Sequence, residues 1–268
     1  MKSAIIKLVS VFVILIFSYG AYLYFTQEEL LFHPKKLAPD HRYQVATNFE
    51  EINITTPDNE SLNCLLFKCE NPSGLVIFYH GNSGSNADWL TEYKFYNDLG
   101  YDYLVTDYRG FGKSSGSINS QEQVLADALV VFDYISSRFE SKSIVLIGYS
   151  FGTSIASYVA SKREIRLLAL LAPFYSLKDI KEHIYPLFPN YLLKYKFETN
   201  KYLDEVKEGI LIFHGIEDKL ISLKSTSKLN KHLKKDDEYI KLSNQGHIGI
   251  TQNQVYKERL KKKLELYK

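Results

Sequence analysis

Hydrophobic and polar positions divide the chain into three stretches of different character. Residues 8–27 carry no charge and are mostly Val, Ile, Leu, Phe and Tyr, whereas from residue 45 short apolar runs alternate with amphipathic ones. As a helix the first stretch spans roughly 30 Å, the thickness of a bilayer core. Residues 1–27 are therefore expected to form a membrane anchor, residues 28–44 a connecting segment, and residues 45–268 one folded domain. Within that domain residues 50–55 and 61–68 read as two strands around the turn Pro57-Asp58-Asn59-Glu60. Uninterrupted apolar runs follow at 75–79, 103–106, 144–147, 167–171 and 210–213, with a weaker one at 239–242. Such runs suit strands buried on both faces by helices. Ser120 and Gln123 have capping-box spacing, and Val124, Leu125, Ala128, Val131, Phe132 and Ile135 share one helical face behind them. The pattern predicts a mostly parallel, doubly wound α/β sheet. The charged tail at 257–268 reads as the solvated face of a last helix.

Composition narrows the possibilities. The 268 residues include 33 Lys and Arg against 31 Asp and Glu, a net charge of +2, and 45% are hydrophobic. That balance excludes a disordered chain, and the lack of a dominant basic stretch leaves no footprint for nucleic acid. Cys64 and Cys69 sit roughly 16 Å apart along one extended strand, beyond disulfide reach, and no CxxC motif suggests a metal site.

Lys2 and Lys7 precede the apolar stretch and Glu28 and Glu29 follow it. The positive-inside rule then keeps the amino terminus cytoplasmic and sends the domain to the exoplasmic or periplasmic side. Lys35, Lys36 and Arg42 pull the other way. A cleaved signal peptide is the rival reading, since Ser18-Tyr19-Gly20 supplies small residues at the right spacing before Ala21. The length of the stretch and its run of Tyr22, Leu23, Tyr24 and Phe25 favour a retained anchor, because signal-peptide cores are shorter.

Two stretches match G-x-S-x-G: 112–116, around Ser114, and 148–152, around Ser150. Ser150 directly follows an expected strand and enters an expected helix, the arrangement that lifts a hydroxyl clear of a sheet. Ser114 lies well past its strand and reads as loop. A serine nucleophile needs a base, and the base an orienting acid. Loops after the later strands supply Asp218, with Glu217 as rival acid, and His247. Of the other histidines, His80 and His214 close strands and suit packed, hydrogen-bonded positions. For a developing oxyanion, the backbone N–H of Phe151 follows the nucleophile directly. The loop His80-Gly81-Asn82-Ser83-Gly84 offers a second, from Asn82 or else Ser83.

Together, His80-Gly81-Asn82, the stretch from Asp107 to Ser114, Gly148-Tyr149-Ser150-Phe151-Gly152, His214 to Asp218 and Gly246-His247 resemble the α/β-hydrolase superfamily. Within it the chain is similar to the small, N-terminally anchored Bem-type branch, whose members are assigned as serine hydrolases, some relatives being acyl-protein thioesterases. That resemblance implies catalytic roles for Ser150, Asp218 and His247, oxyanion roles for the Phe151 and Asn82 backbones, and a structural role for the stretch 107–114. It also places a lid at about 173–208, where Pro186 and Pro189 interrupt many apolar and aromatic residues. These side chains either cover an acyl pocket or fill a small cap core.

The expected activity is cleavage of carboxylic esters or thioesters, acyl or lipid-like, through an acyl-enzyme and without cofactor or metal. An amidase or peptidase with the same triad, and an anchored non-catalytic scaffold on this fold, are the alternatives.

Overall fold

The structure, a computed structural model, describes residues 2–140 and 143–267. Eight strands form the central sheet: β1 (Phe49–Thr55), β2 (Ser61–Phe67), β3 (Gly74–Tyr79), β4 (Tyr101–Thr106), β5 (Ile144–Tyr149), β6 (Leu167–Leu171), β7 (Gly209–Gly215) and β8 (Glu238–Leu242). Their order across the sheet is β1-β2-β4-β3-β5-β6-β7-β8. β2 is antiparallel to both of its neighbours, and every other pair is parallel. The strands coincide with the apolar runs read from the sequence, extended by up to two residues at either end. Every residue of β3, β4, β5 and β6 is buried, as strands covered on both faces require.

The helices are α1 (Lys2–Phe25), α2 (Gln27–Leu31), α3 (Tyr93–Asp98), α4 (Gln121–Ser136), α5 (Gly152–Lys162), α6 (Leu177–Ile184), α7 (Thr199–Leu203), α8 (Leu223–Ser227) and α9 (Gln254–Glu265). α4 begins where the sequence placed it: the Ser120 hydroxyl accepts from the Gln123 N–H at 3.2 Å, and all six residues of the expected face are buried. α4 and α5 pack on one side of the sheet with Phe132, Ile155 and Val159, while α3 and α9 cover the other with Tyr96, Tyr256 and Leu260. The sheet is therefore doubly wound.

α1 is 24 residues long, apolar enough to cross a membrane, and leaves nearly all of its side chains exposed. The segment after it is stitched onto the sheet end. His33 and Pro34 pair in parallel with Ser83 and Gly84, and Lys36 bridges to Gly112. Arg109, read as structural, is buried and forms two hydrogen bonds with Asp127, both at 2.6 Å, and two with Asp58, at 2.8 and 3.2 Å. Cys64 and Cys69 are both free; burial pushes the Cys64 thiol up to about 12.

Candidate active site

In the parallel register Tyr79 sits opposite Gly148, Tyr149 opposite Leu171, Leu171 opposite Phe213, and Gly215 opposite Leu242. The loops leaving β3, β5, β7 and β8 therefore open at one sheet edge, the carboxyl end where open α/β sheets bind ligands. Ser150 stands at the tip of β5 with φ of 53°, a left-handed conformation costing a non-glycine residue on the order of 1–3 kcal/mol. Its N–H is held by the Leu171 carbonyl at 2.8 Å. The flanking glycines make this turn possible. A Cβ at Gly152 would overlap the Tyr79 carbonyl oxygen, and one at Gly148 would stand 2.5 Å from the Gly152 carbonyl oxygen.

Across the sheet edge, His247 Nε2 lies 3.0 Å from Ser150 Oγ, and His247 Nδ1 lies 2.7 Å from Asp218 Oδ2. The N–H groups of Leu220 and Ile221 donate to Asp218 Oδ1 at 2.8 and 2.9 Å. Burial alone would raise the Asp218 carboxyl, but its hydrogen bonds from His247, Ile221 and Leu220 outweigh that and hold it below the usual carboxylate range. With the proton on Nδ1, His247 turns the lone pair of Nε2 toward the Ser150 hydroxyl. Glu217, the rival acid, has no hydrogen bond to His247 among the described residues. Ser114 is a loop tie: it accepts from the Asn63 N–H and donates to the Asp107 carbonyl, at 2.8 and 2.9 Å.

The loop after β3 reaches this point as well, and a Cβ on Gly81 would lie 3.8 Å from Ser150 Cβ. The backbone N–H groups of Phe151 and Asn82 have no partner among the described residues. The side chain and carbonyl of Asn82 are both engaged: the amide donates to the Leu31 carbonyl at 2.5 Å, and the carbonyl accepts from the His33 N–H at 2.8 Å. His80 and His214 are wholly buried. His214 Nε2 donates to the Ile221 carbonyl at 3.0 Å, and its burial lowers the imidazole below its ordinary value, partly opposed by the Asp218 charge.

A cleft of about 380 Å³ opens beside Ser150 and His247, with Trp89, Glu92, Leu220 and Ile248 among its lining residues. None of its lining belongs to residues 173–208. The insertion instead builds a cap core on the connecting segment: Phe32 packs edge-to-face on both Phe151 and Tyr195, and Phe197 packs on Phe151. Of the two readings of its aromatic residues, the cap core describes the buried Tyr195 and Phe197.

Sequence reasoning did not single out Tyr149, whose hydroxyl donates to the His247 carbonyl at 2.5 Å. Trp89 and Glu92 were also missed. Their visible signal was the Ser85-x-x-Asp88 spacing, which forms a capping box at the start of the 3-10 turn carrying both. Among the described residues no group of three or more His, Cys, Asp or Glu is arranged to hold a metal ion.

A doubly wound sheet of this strand order, with a serine on a strained strand-to-helix turn facing a histidine and a carboxylate, defines an α/β hydrolase. Residues 74–209, half of the chain, match the α/β-hydrolase fold family, to which the chain belongs. Its relatives include the uncharacterised protein R595 of Acanthamoeba polyphaga mimivirus, 28% identical over 68% of this chain and 69% of that protein. The lysophosphatidylserine lipase ABHD12 of Gallus gallus is 30% identical over 58% of this chain and 46% of its own length. Bem46 of Schizosaccharomyces pombe is 25% identical over 75% of this chain and 72% of that protein. This chain thus aligns with less than half of the lipase. Among solved structures, an esterase of Pyrococcus furiosus superposes with a TM-score of 0.69 over 88% of this chain and 98% of its own, at 20% identity. The family match and the shared fold place the chain among the α/β hydrolases.

Proposed function

We propose that the protein is a membrane-anchored serine esterase or thioesterase acting through an acyl-enzyme. The hydrogen-bonded series Ser150, His247, Asp218 carries this reading. Ser150 Oγ attacks the acyl carbon while His247 Nε2 takes its proton, and the same nitrogen returns it to the departing alcohol or thiol. Water then repeats the sequence on the acyl-enzyme. Asp218 stays ionised, fixes the histidine tautomer and stabilises the transient imidazolium. The Phe151 and Asn82 backbone N–H groups take up the oxyanion charge. The chemistry draws on no cofactor, and the substrate is a small-molecule or lipid-like acyl ester.

Residues 1–27 serve as the anchor, 28–44 as the connection and 45–268 as the catalytic domain, with the amino terminus cytoplasmic. The relatives named as a lipase and an esterase support ester rather than amide substrates.

Fluorophosphonate labelling of the full-length protein and of Ser150→Ala in detergent, followed by turnover of nitrophenyl esters of graded acyl length, tests the reading. Labelling and turnover lost only in the variant are expected; equal labelling of both would assign the probe to another residue and end it.

A further inference from the structure

Outside the cleft, an extended apolar feature lies where the insertion meets α1. Residues 184–193 form an uncharged run, Ile-Tyr-Pro-Leu-Phe-Pro-Asn-Tyr-Leu-Leu, and expose it to an unusual degree. Leu187 is 94% exposed, Tyr191 85% and Ile184 58%. Single exposed apolar residues are ordinary, whereas these continue the exposed surface of a membrane-crossing helix. A groove of about 660 Å³ separates the two elements, lined on one side by Phe17, Gly20 and Tyr24 and on the other by Leu187, Phe188 and Tyr191.

A polar clamp sets the level of this tip against the helix. Gln27 Nε2 donates to the Leu192 carbonyl at 2.9 Å, and Gln27 Oε1 accepts from the Lys194 N–H at 2.9 Å. Next to it the Glu28 carboxylate takes Lys194 Nζ at 3.2 Å and the Tyr195 hydroxyl at 2.9 Å. Lys181, the nearest buried cation, turns inward to the Phe188 carbonyl at 2.8 Å and closes the turn without exposing charge at the tip. The polar Gln27 and the charged pair Glu28–Lys194 thus gather just beyond the end of the apolar helix, and the one carboxylate bonded to the tip among the described residues, Glu182, meets the Asn190 amide at its base at 3.5 Å. Leu187 to Leu192 lie on the other side, alongside Phe17 to Tyr24, whereas Ile184 and Tyr185 border a second cavity with Gln27, Leu30 and Leu31 at the level of the clamp. At 1.5 Å per residue Phe17 to Tyr24 are roughly 5 to 15 Å further along the helix than Gln27. That range overlaps the depth of the headgroup and acyl boundary, where amphipathic segments rest.

We propose that residues 187–191 form a second membrane contact, which enters the same leaflet as the carboxyl half of α1 and whose groove is filled by lipid acyl chains. The inference rests on α1 spanning the bilayer and is independent of the catalytic assignment. Two attachments to the bilayer restrict the tilt of the domain more than a single spanning helix does. They hold the insertion, and through Phe197 on Phe151 the serine turn, in a set position above the lipid surface.

Nitroxide labels on the full-length protein in phosphatidylcholine vesicles test this. Leu187→Cys, Tyr191→Cys, Val13→Cys and Ser137→Cys are each labelled in a Cys69→Ser background, Cys64 being wholly buried. Oxygen partitions into lipid and a nickel chelate into water. At positions 187 and 191 oxygen accessibility is expected to exceed nickel accessibility severalfold, as at 13, with the reverse at the exposed position 137. Nickel-accessible labels at 187 and 191 with a lipid-embedded 13 would overturn this proposal alone. A nickel-accessible 13 would overturn it together with the anchor. Labels at 187 and 191 shielded from both reagents and broadened by spin–spin coupling would show a second copy covering the face, which also overturns it.

Discussion

The side-chain amide of Asn82 donates to the Leu31 carbonyl at 2.5 Å, tying the loop beside the serine to the segment that follows the long apolar helix. This amide is separate from the backbone N–H proposed to meet the oxyanion. Asn82→Ala keeps that N–H and removes only the tie. A fall in kcat of about tenfold, worth about 1.4 kcal/mol, is expected with KM unchanged, because a loosened donor acts mainly on the transition state. Steady-state kinetics on a soluble ester measure both; an unchanged kcat would show that the backbone alone holds the loop.

Asp218→Asn tests the orienting carboxylate. The amide preserves shape but presents a donor or a neutral acceptor to His247 Nδ1, so the wrong tautomer faces Ser150. Turnover is expected to drop by about 10⁴-fold while fluorophosphonate labelling slows and substrate binding persists. Glu217→Gln, by contrast, should leave kcat within about twofold. Reversal of the two effects would transfer the role to Glu217.

Acid should destabilise the domain in two stages. Burial depresses the His214 pKa, so in the folded state this imidazole resists a proton that the unfolded chain accepts. Its contribution is fully present above the unfolded value of about 6.5 and is lost as pH falls from there toward the folded value. Asp218 is likewise depressed, so its contribution is present above about 3.9 and is lost as pH falls below that. Melting temperatures between pH 7.5 and 5 should fall in the wild type and fall less steeply in His214→Gln. Parallel curves would exclude His214 as the cause.

Charge in the cleft should sort substrates. Asp88 and Glu92 are among its lining residues, and among the described residues no Lys or Arg lines it. Burial raises the Glu92 carboxyl, while Thr251, Lys257 and Gln252 pull it down. Esters of one acyl chain with neutral or cationic leaving groups should be cleaved about tenfold faster, as kcat/KM, than those with anionic ones. Glu92→Gln should narrow the gap, and added salt should narrow it further by screening. A preference for anionic leaving groups would point to cations outside the described lining.

The central strands were legible because β3 to β6 are buried on both faces, and such strands leave uninterrupted apolar runs. Ser150 at a strand end and Ser114 in a loop were separable by the distance of each from its strand, since only a serine at a strand end is lifted by the turn. Less legible was anything set by contacts far apart in the chain. His33 and Pro34 pair with Ser83 and Gly84, two residues on each side, too short to leave a periodicity. The aromatic residues of the insertion read the same whether they roof a pocket or fill a cap. What distinguishes the two is Phe32 packing on Phe151 and Tyr195, and one phenylalanine in a connecting segment carries no such message. The placement of the insertion beside α1 was equally hidden, because an uncharged run names no partner.

Trp89 is the only tryptophan in the chain, and it stands in the cleft with its ring 5.1 Å from that of Tyr149 and 4.9 Å from that of Phe78. Light absorbed at the red edge of the indole band therefore excites one ring, at one address. On the proposed mechanism an acyl group on Ser150 would stand in the cleft that this indole lines, and the emission should shift on acylation. The same indole would then serve as an intrinsic optical gauge of the proposed acyl-enzyme, timing its formation and its hydrolysis in a stopped-flow cell with a colourless, unmodified substrate.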